Sequence, residues 1–124
     1  MTLKLIPQLM SHIRWLTPCS LCGLGHQQSH SLCHDCWEQL PWFKQDHQTQ
    51  LFRNEMQIHV ALNYQFPIDR LIQKYKYEQQ LHFQTLLTHS LIQLRLPKVH
   101  AIVPMPISTE RLAERGYNQM LIIA

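Results

Sequence analysis

Long apolar runs are missing from this chain of 124 residues. No stretch approaches the roughly 18–20 uninterrupted apolar residues that a membrane-spanning helix needs. Its opening, MTLKLIPQLMSHIRWLTPC, is interrupted by Gln8, His12 and Arg14, and no small-residue cleavage site follows. It therefore reads as an amphipathic helix and not as a secretion signal, and the protein is expected to be cytoplasmic. There is no repeat, no low-complexity tract and no pair of adjacent acidic residues, and only three glycines are present, Gly23, Gly25 and Gly116. Aromatic residues make up 9% of the chain, too many for a disordered one. The length suits one small domain, or a mini-module joined to part of a larger one.

Charge is uneven. Residues 1–63 carry Lys4, Arg14, Lys44 and Arg53 against Asp35, Glu38, Asp46 and Glu55 and so balance to zero, while residues 64–124 supply the whole formal +3. A zinc ion with four thiolates would add about −2 to the first part. The pattern is an acidic module followed by a basic one, which permits a phosphate-bearing partner or simply a solvated basic surface.

All four cysteines fall within 19–36, as CSLC, ten intervening residues, then CHDC. A C-x-x-C turn can aim two sulfurs at one point, and two such turns brought face to face complete a tetrahedral zinc shell. The intervening loop, with Gly23, Gly25, Gln27, Gln28 and Ser29, is polar and turn-forming. Cys19, Cys22, Cys33 and Cys36 are thus expected to hold a structural zinc in a ribbon or knuckle. With the shell closed there is no open position for water and no catalytic role. Two disulfides, a redox C-x-x-C and an iron–sulfur centre are the competing readings. His26, His30 and His34 lie close enough to be alternative ligands and are read as surface residues.

Helical spacing of Ile6, Leu9, Met10, Ile13 and Leu16 predicts an N-terminal helix, and CHDCWEQL a short one stopped by Pro41. Trp15, Trp37, Trp42 and Phe43 are expected to form the small core of the cysteine module. Residues 42–56 show no clean period. Ile58, Val60, Leu62 and Tyr64 alternate as in a strand. Pro67 opens a helix with Ile68, Leu71, Ile72 and Tyr75 on its apolar face. Phe83, Leu86, Leu87, Leu91 and Leu94 mark a further helix, ended by Pro97. VHAIVPMPIS resembles a buried parallel strand broken by two prolines. Ser108 or Thr109 can cap the next helix, with Glu110 in its first turn. The expected fold class is α/β: a four-cysteine module over 1–45, a linker over 46–57, and an incomplete parallel-sheet domain over 58–124.

Taken together, the cysteine ribbon, YQFPIDRLIQKYKYEQQ and IVPMPISTERLAERGYNQ resemble the ComF/GntX family. Its members are described as amidophosphoribosyltransferase-like proteins with an N-terminal zinc finger. The motifs that carry the likeness are Tyr64, Ile72 with Lys76 and Tyr77, the V-P-x-P of 103–106, and the R-G-Y-N-Q of 115–119. The resemblance implies a type I phosphoribosyltransferase-like domain, a parallel sheet flanked by helices. It also implies a competence-associated role, handling single-stranded DNA during DNA uptake in natural transformation. Family members run to about twice this length. Their second half carries paired acids and a T-T-G-type loop that bind phosphoribosyl pyrophosphate with Mg²⁺. Neither motif is found here, so the sequence is expected to be the N-terminal half of a member.

By resemblance, Met105, Pro106, Ile107, Ser108 and Thr109 would approach a phosphate, with Arg115, Gly116, Asn118 and Gln119 beside them. Read from the residues alone, the prolines end a strand, Arg115 pairs with Glu110 or Glu114, Gly116 relieves a turn, and Asn118 caps a helix. Arg70, Lys74 and Lys76 interleave with Tyr75 and Tyr77, a pattern suited to single-stranded DNA; core packing of Tyr75 explains part of it. Two functions follow: a binding module for single-stranded DNA or a DNA-processing protein, and, in a longer form only, a transferase acting on a base or amine. A non-functional remnant with exposed apolar surface is the third reading.

Overall fold

The structure, a computed structural model, describes residues 16–44 and 58–124. The expected N-terminal helix up to Trp15 and the whole linker of 46–57 lie outside the described residues. Among the described residues five short α-helices follow one another: α1 (His34–Glu38), α2 (Ile68–Tyr77), α3 (Gln84–Ile92), α4 (Thr109–Arg115) and α5 (Gln119–Ile123), with a 3-10 turn at Leu81–Phe83 before α3.

The expected α/β class is not what forms. Among the described residues there is no strand, only two isolated antiparallel bridges, Pro18 with His26 and Trp42 with Leu62. The phosphoribosyltransferase-like parallel sheet is therefore absent from them. The alternating segment from Ile58 to Tyr64 makes a single bridge, with Phe43 N–H bonded to the Ala61 carbonyl at 2.9 Å and Asn63 N–H to the Pro41 carbonyl at 2.8 Å.

The run VHAIVPMPIS is not a buried strand. Val99 is 59% exposed and Val103 84%. From Val99 to Val103 no main-chain group makes a backbone hydrogen bond among the described residues. The reason is chemical. Pro104 and Pro106 have no N–H to give a ladder, and each holds the residue before it in an extended form. Apolar character without a neighbouring strand leaves such a run in solvent.

The helices fare better because their signals are local. α2 buries Ile68, Leu71 and Tyr75, the predicted face, with Ile72 half-buried beside them. α3 buries Leu86, and Phe83 of the preceding turn goes in with it. Leu91 stays 41% exposed, and the helix ends at Ile92, before Leu94 and Pro97 are reached. Ser108 caps α4, its side chain accepting the Arg111 N–H, and Gly116 ends α4 in the left-handed region at φ 77°. Cys19, Leu32 and Leu40 join Ile68, Leu71, Tyr75, Phe83 and Leu86 in one buried cluster, so the cysteine module and the helices share a core. No helix among the described residues is long and apolar enough to cross a membrane.

Candidate metal centre

The chain first turns tightly around Cys19 and Cys22. Gly23 N–H donates to the Cys19 carbonyl at 2.9 Å, and Cys19 N–H to the Gly25 carbonyl at 2.7 Å. Gly23 sits at φ 70°, a conformation that favours glycine. This turn directs backbone N–H groups at the sulfurs: Leu21 reaches the Sγ of Cys19 and Leu24 that of Cys22, each at 3.4 Å. The second pair is built differently. Cys33 is the N-cap of α1 and Cys36 lies within it, so a helical turn, and not a second knuckle, brings these two sulfurs to the same side.

All four Sγ atoms lie within 4.8 Å of one another, and this group could hold a metal ion. The four are free cysteines, with no disulfide among them. The Sγ atoms of Cys22 and Cys33 are 3.8 Å apart. A tetrahedron with metal–sulfur bonds of about 2.3 Å has edges of about 3.8 Å, so the spacing suits one ion at the centre.

The sulfurs differ in proton affinity. Backbone N–H groups of Gly25 and Leu24 lower the Cys22 thiol to about 6. Burial pushes Cys19 up, but the backbone donors of Cys22, Cys33 and Leu21 outweigh it and leave the thiol below its usual value. Cys36 is pushed well up by burial and then by the neighbouring sulfurs of Cys33, Cys22 and Cys19. Four sulfurs this close do not all ionise unless a cation sits among them.

None of the nearby histidines belongs to this group among the described residues. His26 is exposed, in the Pro18 bridge, and His34 is exposed on α1. His30 departs from its expected surface position and is 7% exposed. Its ring stacks on Trp37, with centroids 4.0 Å apart and planes 12° from parallel, and stands edge-on to His89 of α3 at 6.4 Å. Its Nδ1 accepts the Leu32 N–H at 3.3 Å. Burial, then His89 and His34, lower its basicity. Trp37 in turn meets Trp42 edge-to-face at 4.8 Å, and the Trp42 indole N–H donates to the Trp37 carbonyl at 3.0 Å. Trp37 and Trp42 are partly buried against the shared core, and Phe43 is half-buried next to Trp42 in the chain.

The residues singled out for a phosphate make a different kind of contact. Gln119, 3% exposed, is a hub. Its carbonyl accepts the Tyr75 hydroxyl at 3.0 Å, its Nε2 donates to the Lys76 carbonyl at 3.0 Å, and its Oε1 accepts from Arg115 at 3.1 Å. The Arg115 guanidinium also lies 5.1 Å from the Tyr77 ring centroid. Asn118 caps α5 by accepting the Met120 N–H and donates to the Met105 carbonyl at 3.3 Å. Met105, Pro106, Ser108 and Thr109 are exposed and Ile107 is half-buried. Gly116 has nothing within 4 Å of where a Cβ would stand, so it serves a turn and not a close approach. The two family-like segments are therefore joined to each other, Y-K-Y at the end of α2 to R-G-Y-N-Q before α5. Linear spacing gave no sign of this, since Tyr75 and Gln119 are 44 residues apart.

Arg70, Lys74 and Lys76 are all exposed on α2. No described lysine or arginine forms an ion pair with a described carboxylate, and Arg115 takes Gln119 and Tyr77 as partners instead of Glu110 or Glu114. Comparison with known proteins gives no further identification: no family model, no curated protein and no solved structure matches the chain.

Proposed function

We propose that the four cysteines hold a structural zinc ion and that the chain is a binding module for single-stranded DNA. For the metal, the support is the donor set. Four thiolates suit zinc, and sulfurs within 4.8 Å of one another suit a single ion. A multi-iron cluster would interpose several atoms and spread the sulfurs apart. With four protein ligands the shell is closed, so the ion organises the fold and takes no substrate.

For the nucleic acid, the observation that carries the reading is the unpaired basic surface. Arg70, Lys74 and Lys76 project into solvent with no carboxylate partner among the described residues, which leaves their charge for phosphate. The resemblance to ComF/GntX proteins adds a setting, DNA uptake during natural transformation, in the cytoplasm. A DNA-processing protein is the other partner the resemblance suggests. The transferase reading loses its scaffold, because among the described residues no parallel sheet stands behind the loop of 105–109. A mobility shift with single-stranded DNA across a salt series tests the DNA reading. Binding should be measurable at low salt and fall steeply as salt rises; absence of any shift at low salt rules it out for this chain.

A further inference from the structure

On α2 the cations and the aromatic rings do not lie at random. At about 100° per residue, Arg70, Lys74 and Tyr77 fall within about 60° of arc, on the side of the helix away from the buried Ile68 and Tyr75, with Lys74 bordering Leu71. Lys76 lies about 100° round from Tyr77, outside the stripe and beside the half-buried Ile72. Tyr77 is 69% exposed. Phe66, at the helix's N-terminal end, is 77% exposed, a large apolar ring with no core to enter.

We infer that this stripe of Arg70, Lys74 and Tyr77, completed by Arg115, is the lane along which single-stranded nucleic acid binds. The inference rests on the DNA reading above and assigns its surface.

Arg115 is the part that distinguishes a lane from a merely basic face. One of its five N–H donors goes to the Oε1 of Gln119, and Gln119 is itself fixed by its bonds to Tyr75 and Lys76. The guanidinium is held over the Tyr77 ring before any ligand arrives. A phosphate meeting it finds free donors already oriented, at little entropic cost. The same ring, still largely in solvent, offers a face to a base. Bases inside a duplex are already stacked on each other, so an exposed ring of this kind favours an unpaired strand. Arg70 and Lys74 continue the charge toward Phe66, so the backbone has cations along the length of the helix, about 15 Å.

Fluorescence anisotropy of the full chain with labelled oligothymidine, and with a duplex of equal length, tests the lane. Tyr77→Leu should weaken single-strand binding roughly 5- to 150-fold without altering its salt slope, and Tyr77→Phe should bind as the unmodified chain does. Arg70→Gln and Lys74→Gln should each flatten the slope of log K against log salt by about 0.7, while Lys76→Gln should flatten it less. Circular dichroism checks that each variant is folded. If the unmodified chain binds the single strand but Tyr77→Leu and Lys74→Gln leave affinity and slope unchanged, the lane is wrong and the DNA reading survives. Equal affinity for duplex also counts against the lane. If the unmodified chain binds no single strand at low salt, both fall together.

Discussion

Gly25 has no room for a methyl group. A Cβ there would stand 2.5 Å from the Cβ of Cys33 and 2.9 Å from its sulfur, closer than such atoms approach. Because the Cys33 sulfur is one of the four that cluster, the backbone of one half of the cysteine module must pass this near the other half for them to converge. Gly25→Ala should push Cys33 outward and weaken metal affinity roughly 5- to 150-fold, read by competition with a chromogenic chelator. Gly23→Ala is the contrast. It meets nothing within 4 Å, and strain at φ 70° should destabilise the turn by about 1–2 kcal/mol with a smaller effect on affinity.

His30 carries a second prediction at this scale. Burial, His89 and His34 hold its folded pKa below the ordinary 6.5. Near and below pH 6.5 the unfolded chain therefore binds the extra proton more readily, and stability is lost as pH falls through this range. Protonation also removes the Nδ1 lone pair that accepts the Leu32 N–H. His30→Gln should lower stability at neutral pH through the lost Trp37 stack yet show a flatter decline between pH 7 and 6. Denaturant unfolding of metal-loaded protein at several pH values checks it. The cysteine cluster could be read from spacing; the burial of His30 could not. Its partners, Trp37 and His89, come together only once the module has folded onto α3.

Among the elements, those with short-range signals were legible and those needing a distant partner were not. α2 announces itself through Ile68, Leu71, Ile72 and Tyr75, and α4 through its Ser108 cap and Gly116 stop, all within a few residues. The segment of 99–107 has the apolar content of a strand, but a strand exists only where another lies beside it, and residue content cannot report a neighbour. The clamp between α2 and α5 escaped for the same reason. R-G-Y-N-Q has the look of a ligand loop, yet Gln119 uses its carbonyl, Oε1 and Nε2 inside the protein. Tyr75→Phe should cost about 1–2 kcal/mol by removing the hydroxyl donor from that buried carbonyl, and Gln119→Ala more, since both side-chain bonds go with it. Thermal unfolding of the two variants measures this. If neither shifts the midpoint, the clamp holds nothing together.

For the whole molecule, the cysteine module supplies part of a core that the helices cannot complete alone. Leu32 and Leu40 enter the same cluster as Leu71 and Leu86, and His30 meets His89 across that junction. The module is small, and among the described residues its hydrogen bonds are short turns with no sheet behind them, so its shape is expected to depend on the sulfurs being drawn together. Removing the ion should therefore disturb more than the site. Trp37 and Trp42, packed against each other beside Cys36, report that change in their fluorescence. The decisive measurement is native mass spectrometry of the full chain before and after a chelator, with tryptophan emission followed in parallel. One zinc per chain, lost to the chelator together with a shift in emission, is the result expected; a metal-free chain whose emission and fold ignore the chelator would contradict the account.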